Sequence, residues 1–198
     1  MRKCLNALIV AVSFCGSLNA APIVIEGVPA YLWYKGCAPT SAAMLVSYWQ
    51  PERQGQPLIS ELAQRMLATP SGGVQWYRID DVLRTYDLAV TPIIWWQGDT
   101  FVTTYRGEID AGHPVLLSVD VTADGNEDHV ILGVGYDDAR YLAFNTYSMT
   151  AQWYDLKRVQ SGVSYGVSRA MFVEPIPEPS VWALFGTGLL LLGLRGKR

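Results

Sequence analysis

Hydrophobic residues follow a helical period through the first half of the chain and continuous, strand-like runs through the second, and the change falls at Gly112-His113-Pro114. The run from Ala38 predicts a helix over 38–49. Pro39 fits a first-turn position where no amide donor is needed, Ala42-Ala43-Met44-Leu45 favours helix, and Pro51 ends it. Leu58, Ile59, Leu62, Ala63 and Met66 mark a second, amphipathic helix that stops before Thr69-Pro70. Ile79, Val82, Leu83 and Tyr86 mark a third over 77–88, with a short strand over 89–95 after it. Phe101, Tyr105 and Ile109 mark a fourth over 100–111. Beyond Pro114, segments 115–121, 129–136, 141–145 and 167–173 are β-rich runs parted by Asp-Gly and Asp-Asp turns, and Ile23-Val24-Ile25 is a short strand near the start. Helices first and an antiparallel sheet later predict one α+β domain over 22–174.

Two further apolar runs stand outside that domain. Residues 5–15 follow Arg2 and Lys3 and precede Ser17-Leu18-Asn19-Ala20-Ala21, the pattern of a secretory signal peptide over 1–21. Phe14 stands before Cys15 where a lipoprotein cleavage site needs a small residue, so Cys15 is not read as lipidated. At the other end, Pro175-Ile176-Pro177-Glu178-Pro179-Ser180 is a proline-punctuated linker and Arg195-Gly196-Lys197-Arg198 a basic tail. Between them, 181–194 is uncharged and shorter than the roughly 20 residues of a comfortable transmembrane helix. The basic end stays cytoplasmic by the positive-inside rule, which places the domain outside.

Pro177-Glu178-Pro179, a short apolar segment and a basic cluster, in that order, resemble the PEP-CTERM sorting signal of Gram-negative bacteria. The resemblance implies that 175–198 is a sorting signal of linker, short transmembrane helix and basic tail, recognised and removed by an exosortase-like enzyme. It further implies transient anchoring in the inner membrane and a final location at the periplasmic face, the outer cell surface or the extracellular matrix. A permanent single-pass tail anchor is the alternative.

With 198 residues, 50% hydrophobic and 17% charged, and a net charge of -3, the chain has enough apolar content for a buried core and no basic excess for nucleic acid. The 12% aromatic content, with Trp 7, argues for a packed core or an aromatic-walled groove and against disorder. Removal of the signal peptide takes Cys4 and Cys15 with it, which leaves Cys37 as the one thiol of the exported protein and excludes an intramolecular disulfide. A lone thiol in an oxidising compartment is at risk of oxidation, so it calls for a reason, catalysis or an intermolecular disulfide. Cys37 stands where a loop turns into a helix, where unpaired amides and the macrodipole favour negative charge. That position predicts a thiol that ionises more readily than its reference value of about 8.5. A buried structural cysteine is the plain alternative.

The later half carries Asp128-His129-Val130-Ile131-Leu132-Gly133-Val134-Gly135-Tyr136-Asp137-Asp138, a histidine at the mouth of an apolar strand that ends in a turn, and Asn145 closes the next strand. Two antiparallel strands joined by that turn would bring His129 and Asn145 together, with one ring nitrogen free to face Cys37. Cys, then a distant His, then Asn, resembles the papain-like cysteine peptidases. Gly36-Cys37-Ala38-Pro39-Thr40-Ser41 together with the His129 segment is closest to the branch that includes the double-glycine leader peptidases of bacteriocin exporters, over residues 27–173. The resemblance implies the papain-like fold, with a helical half that holds the nucleophile at a helix start and a C-terminal antiparallel sheet. It implies Cys37 as nucleophile, His129 as general base and then acid, Asn145 as orienting residue, a peptide or protein substrate, and no cofactor or metal. One departure stands out. Family members usually place a glutamine about six residues before the nucleophile to help hold the oxyanion, and here the stretch reads Tyr31-Leu32-Trp33-Tyr34-Lys35, with no Gln or Asn between Pro22 and Cys37. The Cys37 amide is one remaining donor, with the Trp33 indole or a backbone amide as the second.

Trp33, Tyr34 and Trp76 are the candidates for walls of a substrate groove, core packing being the other role for such residues. Asp120, Asp124, Asn126, Glu127 and Asp128 lack the ligand spacing of a calcium loop and read as a solvated acidic loop, with Asp128 placed to raise the basicity of His129. His113, beside Pro114, reads as a surface or structural residue. The expected function is an exported cysteine peptidase. The alternatives are a peptidase-like binding or matrix protein without turnover, and an acyl or amide transferase with the same triad.

Overall fold

The computed structural model describes residues 21–91 and 94–176. Among them no helix is long and apolar enough to cross a membrane; the apolar run at 181–194 and the signal peptide, save Ala21, lie outside the described residues. In chain order the elements are β1 (Ile23–Val24), α1 (Cys37–Trp49), α2 (Gly55–Arg65), α3 (Trp76–Leu83), β2 (Leu88–Val90), β3 (Ile94–Trp95), α4 (Asp99–Asp110), β4 (Val115–Asp120), β5 (His129–Asp137), β6 (Arg140–Phe144), β7 (Ala151–Asp155) and β8 (Gly166–Pro175).

The strands pair antiparallel in the order β2-β8-β4-β5-β6-β7, with β1 joined to β5 and β3 to β8. Side chains of the central strands alternate between two cores. Leu116, Val130, Leu132, Val134, Met171 and Val173 pack with α1, α2 and α3, while Leu117, Val119, Ile131, Ala170 and Phe172 pack with Phe101, Tyr105 and Ile109 of α4. Burial on both faces is why these strands read as near-continuous apolar runs rather than alternating ones. On the α4 side, Gly133 makes room for Tyr105: a Cβ there would lie 2.8 Å from the phenol oxygen, which instead donates to the Gly135 carbonyl at 2.9 Å.

Residues Ala38 to Ser47 of α1 are buried around the whole helix, so α1 is the central element of the helical half. The structure departs from the sequence reading in three places. The third helix stops at Leu83, continues as a 3-10 turn over Arg84–Tyr86, and ends where Asp87 takes a left-handed φ of 56°. The strand expected over 89–95 is two short edge segments, β2 and β3, that pair with different stretches of β8. A strand without a sequence prediction, β7, extends the sheet beyond β6.

Candidate active site

Cys37 opens α1, and its approach is held by backbone contacts. Lys35 sits at φ 62° and Gly36 at φ 122°, the second a conformation that favours glycine. Gly36 lies against Gly72: a Cβ on Gly36 would come within 3.0 Å of the Gly72 backbone, and one on Gly72 would lie 2.5 Å from the Gly36 Cα. The buried Thr40 hydroxyl accepts the Tyr34 amide at 3.1 Å and donates to the Gly36 carbonyl at 2.7 Å, so the loop is tied to the first turn. One residue on, the Ser41 hydroxyl donates to the Val130 carbonyl at 2.9 Å, a buried link from α1 to the strand that begins with His129.

His129 is 4% exposed. The pairing of Leu132 with Phe144 brings the residues just past β6 alongside the start of β5, and there His129 Nε2 meets Asn145 Oδ1 at 3.0 Å. The same oxygen accepts the Tyr147 backbone amide at 3.2 Å. A backbone N–H can only donate, so the atom facing it is the carboxamide oxygen, and Nε2 of His129 must therefore carry the proton. The lone pair is left on Nδ1, which makes no hydrogen bond among the described residues. The Asn145 amide nitrogen donates to Tyr165 Oη at 2.9 Å and reaches Tyr154 Oη at 3.4 Å. The Tyr147 ring stacks on the imidazole, 4.9 Å between centroids and 5° from parallel. Tyr147, Tyr154 and Tyr165 had no place in the sequence reading. They are brought in by β7 and by the loops before β7 and β8.

Electrostatics correct one expectation. Burial pushes the Cys37 thiol up; the Val130, Ala38 and Cys37 amides counter it only in part, and Asp128 adds to the rise. The helix start therefore does not leave Cys37 as a readily ionised thiol, because desolvation outweighs the amides. Burial also lowers His129, against the opposing influences of Asn145 and Asp128, so the effect expected of Asp128 on the imidazole is present but outweighed. Both shifts favour the uncharged forms of the thiol and the imidazole, which line the same cavity.

A cavity of about 440 Å³ opens beside Cys37. It is lined by Gly72, Gln75 and Trp76 from the loop and helix after α2 and by Glu127, Asp128, His129 and Arg169 from the strand half. Trp76 thus lies at the site. Trp33, 44% exposed, lies behind it near Gly72, and Tyr34 lines a separate cavity with Lys35 and Gln64. Tyr31, in the expected oxyanion stretch, points into α1 and donates to Ser47 Oγ at 2.9 Å.

The acidic stretch is more structured than a solvated loop. The buried Asp120 carboxylate accepts the Ala123 and Gly125 amides, both at 2.7 Å, and the Thr122 hydroxyl at 3.2 Å. Burial would raise its pKa, but those donors win and hold it below the usual carboxylate range. Glu127 pairs with Arg169. Among the described residues no group of side chains is arranged to hold a metal ion. His113 is structural: its Nδ1 meets Glu108 at 2.9 Å and its ring lies edge-on to Trp49.

The Peptidase_C39-like family matches residues 25–168, and the PEP-CTERM protein-sorting motif matches residues 175–198. No curated protein matches the sequence. Solved structures share the fold, two of them as follows. A putative C39-like peptidase from Bacillus anthracis has a TM-score of 0.58 and 11% identity, over 80% of this chain and 100% of that one. The peptidase domain of Streptococcus ComA, a bi-functional ABC transporter involved in quorum sensing, has a TM-score of 0.54 and 16% identity, over 75% of this chain and 98% of that one.

Proposed function

The chain belongs to the Peptidase_C39-like family and ends in a PEP-CTERM motif that indicates export and sorting to the cell envelope, and from that premise we propose that it is an exported cysteine peptidase working through Cys37, His129 and Asn145. The supporting observation is the 3.0 Å contact of His129 Nε2 with Asn145 Oδ1, next to a cavity that Cys37 also lines. His129 Nδ1 takes the thiol proton as Cys37 Sγ attacks the peptide carbonyl, so that an S–C bond forms and the carbonyl oxygen takes up the negative charge. The imidazolium then gives that proton to the leaving amine as the C–N bond breaks. Water, deprotonated by His129, releases the acyl group and restores the thiol. Asn145 holds the imidazole in the tautomer both steps need. The Cys37 amide, at the first position of α1, is the nearest backbone donor for the oxyanion.

The C-terminal motif fits handling by an exosortase-type enzyme, with the domain outside the inner membrane. A second reading, a family member that binds peptides without turning them over, is favoured by one observation. Tyr31 stands where a glutamine is usual and points away from the cavity, and loss of one oxyanion donor costs about a hundredfold to a thousandfold in rate. A thiol-directed peptidase probe and a peptide digest separate the two. Probe labelling with turnover, lost in both Cys37→Ala and His129→Ala, supports the peptidase. Labelling without turnover supports the binding protein, and wild-type protein that resists the probe under reducing conditions removes Cys37 from the role of nucleophile.

A further inference from the structure

We propose that the cavity beside Cys37 is a specificity subsite for a basic side chain of the peptide, an assignment that rests on Cys37 being the nucleophile. Its volume, about 440 Å³, is far more than a glycine fills, so a glycine there would leave it to water. Its charges are unevenly matched. Glu127 is fully committed: it pairs with Arg169, whose Nε donates to it at 2.9 Å, and it accepts the Ser118 and Ser168 hydroxyls. Arg169 is in turn held against Trp95, 4.2 Å from the ring centroid, and Trp76, 5.4 Å. That pair is neutral as a unit.

Asp128 is the charge left over. It is exposed at the cavity wall, makes no ion pair among the described residues, and has one oxygen engaged by the Val121 amide at 2.9 Å, which leaves the other available. Two carboxylates against one guanidinium give the cavity a negative field. Val74 and the part of the Trp76 indole that Arg169 leaves uncovered give an apolar lining along which the methylenes of a lysine or arginine lie while the cation reaches Asp128. An acidic side chain would meet the same carboxylate at a cost, and an aliphatic one would desolvate it without compensation.

The test uses the full chain carrying Cys37→Ala, so that binding is read without turnover, and N-acetylated tetrapeptide amides that place Arg, Glu, Leu or Gly at each position in turn. At one position the arginine peptide should bind at least tenfold more tightly than the glutamate peptide. In the added variant Asp128→Asn, which keeps an acceptor for the Val121 amide, the ratio should fall to within threefold. Equal or tighter binding of the glutamate or glycine peptides at every position overturns the proposal, as does a ratio that Asp128→Asn leaves unchanged. Alkylation of wild-type Cys37 by iodoacetamide is scored separately. If it fails while the arginine preference holds, the nucleophile reading falls and the basic-side-chain site stands as a binding property.

Discussion

The helical half presents Cys37 and the strand half presents His129 and Asn145, and the two are held in different ways. His129 and Asn145 sit on neighbouring strands and are surrounded by redundant contacts. The asparagine alone has four partners, from His129, Tyr147, Tyr165 and Tyr154. Cys37 depends on a loop whose backbone lies against a second loop, with left-handed Lys35, Gly36 against Gly72, and two hydroxyls that tie α1 to its surroundings. Removing one partner from the strand half leaves others in place. In the helical half a single added methyl group has nowhere to go.

The largest effect is therefore expected from Gly36→Ala. Its Cβ would come within 3.0 Å of Gly72 backbone atoms rather than of a side-chain tip that can swing away, and its φ of 122° is strained for alanine. Labelling of Cys37 should fall by at least about a hundredfold, with a loss of stability on the order of 3 kcal/mol in urea unfolding. Normal labelling by Gly36→Ala would show that the loop yields, and would remove the contrast between the halves.

Asn145→Ala tests the other side. It removes the acceptor of His129 Nε2–H but leaves Tyr147 stacked on the ring. Turnover should fall by roughly a hundredfold, with a loss of stability of about 1–2 kcal/mol, smaller than for Gly36→Ala, because the His129 Nε2–H and the Tyr147 amide lose their acceptor while the tyrosine hydroxyls can turn to one another. If Asn145→Ala unfolds the domain, the polar cluster is a structural keystone, and the strand half is no more tolerant than the helical one.

How much of this was legible in the sequence follows the range of the interactions. The α1 helix and strands β4, β5, β6 and β8 are written in local periodicity and were read to within a few residues. β7 escaped because Ala151-Gln152-Trp153-Tyr154-Asp155 is a short edge strand with little buried side chain, so its pattern is weak. Cys37, His129 and Asn145 stood out by residue type and order. What surrounds them did not: the Tyr165 hydroxyl reaches Asn145 from 20 residues away, and the Gly36 and Gly72 contact joins two loops. The thiol was misjudged for a related reason. A helix N-terminus is visible in sequence, whereas the burial that outweighs it is a property of the assembled fold.

The smallest predicted effect concerns Asp128, the exposed carboxylate next to His129 at the start of the strand half. Burial places the Cys37 pKa above its ordinary value, and Asp128 adds to that rise, so between pH 7 and pH 8 only a small fraction of the thiol is ionised. The alkylation rate by iodoacetamide should then climb about tenfold per pH unit across that range, without a plateau below 9.0. A thiolate held beside a protonated imidazole would instead give a plateau near neutral pH, and His129, lowered by its burial, disfavours that ion pair. Asp128→Asn removes an exposed anion, so the thiolate becomes easier to form and alkylation at pH 7.5 should speed up by about two- to fivefold, the scale of a single surface charge. The same substitution withdraws a charge that raises His129, so the imidazole is harder to protonate and the acid limb of any turnover profile should move to lower pH. A plateau near pH 7 in wild-type protein would show that the two halves share their proton before substrate arrives, and a slower Asp128→Asn would show that the carboxylate helps the thiol to ionise rather than hindering it.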